Sequence, residues 1–229
     1  MGVRTTASTQ NYFRTLTLGS QTKFSVTCWV KVSVDRATNC AVWWIQSSTS
    51  DFLALATNSA DLSMLFFENN VVEIFGPLAT LGTWYFIGVS WDAGASTMTM
   101  RALNASSFTT QTGTGGPATH TCTSLFLSNS QAAGSGGLFL NGCVGAVKGW
   151  GRVGMTVAQL QNGAWSYTPK YSNPTFWYPL LRTETTDYAG NGYTIPLEYI
   201  ECFQHNFQPL LATKSAAKVL DCLRELDTL

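Results

Sequence analysis

The chain has 229 residues, and its 13 basic side chains are balanced by 13 acidic ones, so the formal net charge is zero. Because Lys and Arg are scattered, the sequence excludes the basic patch that nucleic acid or an anionic membrane surface would require. No apolar run approaches the ~18 residues that span a bilayer, and the N-terminus lacks the apolar core of a secretory signal peptide.

Short apolar stretches alternate with turn residues from the N-terminus to about Gly151. They are YFRTLTL, FSVTCWVKVSV, CAVWWIQS, FLALAT, LSMLFF, VVEIFG, GTWYFIGVSWD, STMTMRAL, SLFLSN and LFLNGCVGAVKGW. About ten strands at such regular spacing are typical of a two-sheet sandwich or jelly roll. Residues 104–121 are rich in Thr and Gly, have Phe108 as their apolar anchor, and are predicted to form a long connecting loop, with a binding loop as the alternative.

The stretch GTWYFIGVSWDAG, residues 82–94, predicts the central strand of a sheet. With a period of two, one face is formed by large apolar side chains, namely Tyr85, Ile87, Val89 and Trp91. A strand with one continuously apolar face buries that face in a core. We therefore predict that this apolar face lies between the two sheets.

Two helices are predicted after the strand pattern. In MTVAQLQNGA, Thr156 is the expected N-cap, Val157 and Leu160 share a face, and Gly163 ends the helix. The C-terminal TKSAAKVLDCLRELDTL has apolar residues at helical spacing, which predicts an amphipathic helix.

Neither cysteine nor histidine spacing indicates a metal site. The six cysteines form no C-x-x-C pair, and neither His120 nor His205 lies at ligand spacing from them. We predict no metal, and reduced thiols in a chain without a signal peptide, with an inter-sheet disulfide as the alternative.

The acids do not predict catalysis either. Glycoside hydrolysis needs two carboxylates that face each other across the scissile bond, but no acid lies between Glu68 and Glu73, and Asp51 lies in a turn. Neither histidine has the context of a nucleophile elbow, so each is expected to be a surface or half-buried residue. We therefore predict no catalytic residue and no cofactor.

Four segments, in this order, carry a resemblance to a known family. They are FSVTCWVKV, GTWYFIGVSWD, SLFLSNS and GLFLNGCVGAVKGWGRVGMTVAQLQ. The series resembles the concanavalin A-like lectin/glucanase superfamily in its laminin-G-like branch, over about residues 5 to 195. The closing segment FWYPLLRTETTDYAGNGYT is also similar to the family, and the glycines of its turn, Asp187 to Gly192, suit positive φ.

The resemblance implies an all-β fold, a two-sheet antiparallel jelly-roll sandwich with one short helix, over residues 1–195. Residues 196–229 then form a C-terminal extension with the amphipathic helix. Relatives that bind Ca²⁺ use oxygen ligands on rim loops, where this chain offers Asp92, Asn129 and Asn141. So few acids favour the absence of a calcium site, and Ca²⁺ remains the open alternative.

Such a fold implies binding or a structural role. Lectin-like jelly rolls present sugars to aromatic side chains, and Trp165 and Tyr167, beside a Pro-rich connection, are predicted to be exposed and to bind the ligand. Four further aromatic residues are not explained by the strand pattern and are more typical of packing: Trp43, Trp44, Tyr171 and Tyr188.

We therefore predict a non-catalytic structural or adhesive protein of a bacteriophage virion, on a head, fibre or tail surface, with glycan binding as an added role. The expected partners are other virion proteins or a second copy, and cell-surface glycans, without nucleic acid or membrane insertion. The docking stripe on the C-terminal helix is Val219, Leu220, Leu223 and Leu226. The alternatives are a carbohydrate-binding module of a cell-surface or exported protein and, third, a glycoside hydrolase.

Overall fold

The structure is a computed structural model. It describes residues 2–5, 12–34, 38–48, 50–69, 71–104, 107–113, 118–127, 140–166, 168–179, 187–193 and 201–203. Its strands are β1 (Gly2–Thr5), β2 (Tyr12–Gln21), β3 (Lys23–Val32), β4 (Cys40–Ser48), β5 (Asp51–Thr57), β6 (Ser63–Glu68), β7 (Val71–Leu78), β8 (Trp84–Asp92), β9 (Thr97–Asn104), β10 (Ser107–Gly113), β11 (His120–Leu127), β12 (Gly142–Gly151), β13 (Phe176–Tyr178) and β14 (Glu201–Phe203). One helix, α1 (Val157–Asn162), runs into a 3-10 turn, Gly163–Trp165.

The strands form two antiparallel sheets. The eight-stranded sheet has the order β10-β9-β8-β3-β12-β1-β14, with β13 also paired to β12, and the six-stranded sheet has the order β2-β11-β4-β5-β6-β7. One large apolar core lies between them. The predicted jelly-roll sandwich is therefore the observed fold.

Strand β8 is central, as its alternation predicts. It pairs with β3 on one side and β9 on the other. The predicted inner side chains all belong to the core between the sheets, with Ile87 at 0% and Val89 at 3% exposure. The opposite face of β8 is buried too, because α1 and the 3-10 turn pack on it.

Helix α1 begins as predicted. The Thr156 side chain accepts from the Gln159 backbone N–H, and the Gln159 side chain accepts from the Thr156 backbone N–H, which is a capping box. Val157 and Leu160 were predicted to share a face; Leu160 is fully buried, whereas Val157 is 38% exposed. In a helix of six residues only the position aimed at the sheet is covered.

The predicted loop at residues 104–121 contains a strand. β10 pairs with β9 at the edge of the eight-stranded sheet, and its side chains are mostly exposed or half-buried. An edge strand of this kind needs no apolar alternation, because its pairing comes from backbone hydrogen bonds to β9. For that reason the Thr-rich sequence gave no strand signal.

Two of the unexplained aromatic residues are packing residues. Trp43 belongs to the core between the sheets, whereas Trp44 lies on the outer face of the six-stranded sheet and stacks on Phe52 at a centroid distance of 4.1 Å. Both are buried. The closing turn also has its predicted form, with φ of +82° at Gly190 and +72° at Gly192.

The C-terminal stripe lies outside the described residues, as does Tyr167. The predicted boundary at residue 195 stays a prediction. Within the described part of the chain, no helix has the length and apolarity to cross a membrane.

Replacing Val89 by Asp tests the central position of β8. The new carboxylate would be buried between the sheets without a partner, which costs several kcal/mol, so we expect Val89→Asp to abolish soluble folding. Val34, 48% exposed, provides the control: Val34→Asp should be soluble and melt cooperatively. Thermal unfolding of the purified proteins checks both, and a soluble, cooperatively melting Val89→Asp protein would contradict the assignment.

Candidate functional site

An aromatic patch lies on the outer face of the eight-stranded sheet. Its floor is formed by the buried Trp29, Phe86 and Leu103, against which the half-buried Trp84, Phe108 and Trp165 pack. Side chains alternate across a strand, so β3, β8, β9 and β10 each direct residues to this face. Trp165 comes from the 3-10 turn that follows α1.

The rings of the patch meet edge to face. Phe108 and Trp165 have centroids 5.6 Å apart with an interplanar angle of 77°. Trp29 and Phe86 are 5.7 Å apart at 63°. These are preferred aromatic geometries, which fix the ring orientations while part of each upper ring remains accessible to solvent.

Two cations border the aromatic patch. The Arg101 guanidinium lies 4.8 Å from the Phe108 ring centroid, and the Lys31 ammonium lies 6.0 Å from that of Trp84. Arg101 donates to the Thr110 hydroxyl and to Gln161 Oε1 at 2.6 Å. The guanidinium therefore ties β9 to β10 and to α1, beneath the edge of the patch.

Sequence reasoning found part of this site. Trp165, predicted to be exposed, is half-buried in the patch, and its predicted role in ligand binding stays a prediction. Phe108 was noted only as a loop anchor and Trp84 only as part of a core strand. The isolated Phe108 in a Thr-rich stretch was the available signal. Tyr171 packs beside Trp150 and α1, and Tyr188, 41% exposed, contacts Trp177.

The second feature is a charged cluster formed by His120, Asp51 and Glu68. His120, expected on the surface or half-buried in a loop, instead begins β11 and is 2% exposed. Its Nδ1 lies 2.6 Å from Asp51 Oδ1 and its Nε2 lies 2.6 Å from Glu68 Oε1. The Trp91 ring closes the site from the core side, at 5.7 Å between centroids.

The charges of this cluster support one another. Burial alone lowers the pKa of His120, but hydrogen bonds to Glu68 and Asp51 and their negative charges outweigh it and raise the pKa above its ordinary value. Burial raises the pKa of Asp51, but hydrogen bonds from Ser47, His120 and Thr121 outweigh that effect and lower it.

The polar atoms of the cluster are hydrogen-bonded to one another. Both ring nitrogens of His120 are bonded to carboxylates, and Glu68 Oε1 also accepts from the Ala118 N–H. Both ring nitrogens are thus engaged within the cluster, whereas a general base needs a nitrogen that can reach the proton it removes. Among the described residues there is also no group of three or more His, Cys, Asp or Glu side chains placed to hold a metal ion.

Comparison with known proteins shows the fold. No protein-family model and no curated protein sequence matches the chain. A putative carbohydrate-binding protein from Bacteroides ovatus superimposes with a TM-score of 0.61 at 13% identity, over 89% of this chain and 63% of that one. A native heptameric SAP-like pentraxin from Limulus polyphemus gives 0.53 at 15% identity, over 69% and 78%.

The enzymatically active domain of tailspike protein 2 from bacteriophage CBA120 gives a TM-score of 0.51 at 13% identity, over 73% of this chain and 28% of that one. The chain thus spans less than two thirds of the Bacteroides and phage structures. These likenesses show the fold, a two-sheet antiparallel jelly-roll sandwich, as the sequence resemblance implied.

Replacing His120 by Phe tests the role of the charged cluster. The substitution removes both ring nitrogens of His120 and leaves Glu68, 6% exposed, as a buried carboxylate without this partner. We therefore expect the free energy of unfolding to fall by about 3 kcal/mol. Because the pKa of His120 is raised in the folded chain, its stabilising effect is complete below about pH 6.5 and is lost as pH rises through the raised value.

The loss should therefore be larger at pH 6 than at pH 9. Urea unfolding of the wild type and His120→Phe at both pH values measures it, and His205 is common to the two proteins. A loss of equal size at both pH values would show that the protonated ring is not what stabilises the cluster.

Proposed function

We propose that the protein is a non-catalytic glycan-binding module and that the aromatic patch is its binding site. The observation that carries the proposal is the placement of Trp165 beside Phe108 and above a buried aromatic floor, where it remains partly accessible. The apolar C–H faces of sugars pack on such rings, and a few polar groups at the border then fix orientation. Arg101 and Lys31 provide a polar border here.

The similarity to one solved structure supports a binding role. The Bacteroides structure is named as a putative carbohydrate-binding protein. In this chain the two carboxylates of the charged cluster, Asp51 and Glu68, both contact His120 at 2.6 Å. Glycoside hydrolysis, the third reading, would need them to face a substrate.

We further propose that the module acts on a bacteriophage virion, where it contacts host-surface glycans. A tailspike domain among the similar structures supports this setting. The neutral, Ser-, Thr- and Gly-rich composition agrees with an adhesive surface. The second candidate is a carbohydrate-binding module of an extracellular or cell-surface protein, which the similarity to the Bacteroides structure favours.

Substitution of Trp165 tests the binding site. On a printed array of bacterial and mammalian oligosaccharides, we expect Trp165→Ala to lower binding by about tenfold or more, since a stacked aromatic contributes ~1–3 kcal/mol by analogy with base stacking. The matched control is Phe75→Ala, because Phe75 is 64% exposed on β7 of the other sheet. An unchanged array signal for Trp165→Ala, with binding by the wild type, would place the site elsewhere.

Truncation tests the proposed docking of the C-terminal stripe, Val219, Leu220, Leu223 and Leu226. A short amphipathic helix is marginal alone in water, so its apolar stripe must be covered. We expect a chain without residues 214–229 to fold with an unchanged melting temperature and to lose self-association or virion attachment. Light scattering and purification of phage particles measure these. A truncated chain that fails to fold, when the full chain is a monomer, would assign the stripe to the domain's own core.

A further inference from the structure

A strained bulge in β12 directs a lysine to the outer face of the eight-stranded sheet. The β3–β12 register shifts between Gly145 and Lys148, and Ala146, inside this bulge, has a φ of +46°. Positive φ is unfavourable for alanine, and bulges re-aim the side chains that follow them. After the bulge, Lys148 lies opposite Thr27 of β3 and Trp177 of β13.

The Lys148 ammonium holds both ends of the 3-10 turn. Its Nζ donates to the Gly163 carbonyl at 3.4 Å and more closely to the Ser166 carbonyl. These two carbonyls enclose Ala164 and Trp165 in the chain. The two hydrogen bonds therefore connect the amine to the backbone on both sides of Trp165.

Stability alone does not explain this lysine. Lys148 is 1% exposed, and among the described residues no carboxylate forms an ion pair with it. Burial, reinforced by the charge of Lys170, lowers the pKa of Lys148 to about 7. Replacing a buried charge by an apolar side chain of similar volume is often neutral or stabilising. The desolvation of the Lys148 amine is therefore not explained by stability and points to a positional role.

We propose that Lys148 is a positioning residue of the aromatic patch: it holds the 3-10 turn so that Trp165 stands at the orientation that ligand binding needs. The inference rests on the proposed function, because Trp165 is taken as the ligand-contacting ring. Lys148 itself lies beneath the turn and does not contact the ligand.

Two substitutions separate the hydrogen bonds from the bulk of the side chain. Lys148→Met keeps similar volume and loses the donors, whereas Lys148→Gln keeps two N–H donors without the charge. The Thr27 hydroxyl, which is buried without a partner and lies on the strand opposite, can donate to the new amide oxygen. Lys23→Met is the matched control, since Lys23 pairs with Asp92 at 2.7 Å away from the turn.

Hydrogen exchange and glycan binding are measured on the same proteins. We expect Lys148→Met to fold, to raise amide exchange of peptides spanning residues 163–166 by about tenfold or more, and to lower the signal on the oligosaccharide array by a similar factor. Lys148→Gln should recover a large part of both, and Lys23→Met should change neither. If Lys148→Met fails to fold, Lys148→Leu, which also lacks donors, takes its place in the comparison with Lys148→Gln.

The two proposals fail in different ways. Unchanged exchange in Lys148→Met would overturn the positioning role, and so would faster exchange with an unchanged array signal. If the wild type binds no oligosaccharide on the array, the proposed function fails, and with it the binding part of this inference. Faster amide exchange at residues 163–166 in Lys148→Met would then still support the conclusion that Lys148 fixes the 3-10 turn.

Discussion

The contact between Leu160 of α1 and Gly88 of β8 determines how the outer face of the eight-stranded sheet is used. A Cβ at Gly88 would lie 3.2 Å from Leu160, so the absence of a side chain lets the helix lie directly on the sheet. The helix is short, and the 3-10 turn follows it at once. The sheet is therefore covered over the middle of β8, and beyond the turn its apolar face continues as the aromatic patch.

Buried charge is handled in two ways in this domain. In the charged cluster, His120 lies between Asp51 and Glu68, and the two carboxylates raise the pKa of the ring. On the outer face, the Lys148 amine donates to two backbone carbonyls and, among the described residues, forms no ion pair, so burial lowers its pKa. The two carboxylates favour the charged form of His120. Burial disfavours the charged form of Lys148, whose hydrogen bonds fix the backbone of the 3-10 turn.

The layers of the fold could be predicted because most strands carry strong alternation. Tyr85 to Trp91 shows this well, and the capping residue Thr156 located the start of α1. Strand β10 could not be predicted, because an edge strand of Thr residues depends on its neighbour and not on its own apolar pattern. The neighbours of His120 were also hidden, since Asp51 and Glu68 come from strands far from it in sequence and meet only through sheet order.

Part of the aromatic patch was hidden for the same reason. Trp165 was marked by its place beside a Pro-rich connection, but its ring partner Phe108 comes from β10, the strand that the sequence did not reveal. Lys148 gave no signal at all, because a single lysine in an apolar strand looks like a solvent-facing residue until the bulge at Ala146 is known.

The aromatic patch is assembled from β3, β8, β9, β10 and the turn after α1, which are distant in the chain. No linear fragment contains it, and a domain that has not yet joined α1 to the eight-stranded sheet cannot present Trp165 against Phe108. The patch is therefore a property of the assembled domain, and only a chain in which α1 has packed on the eight-stranded sheet presents it.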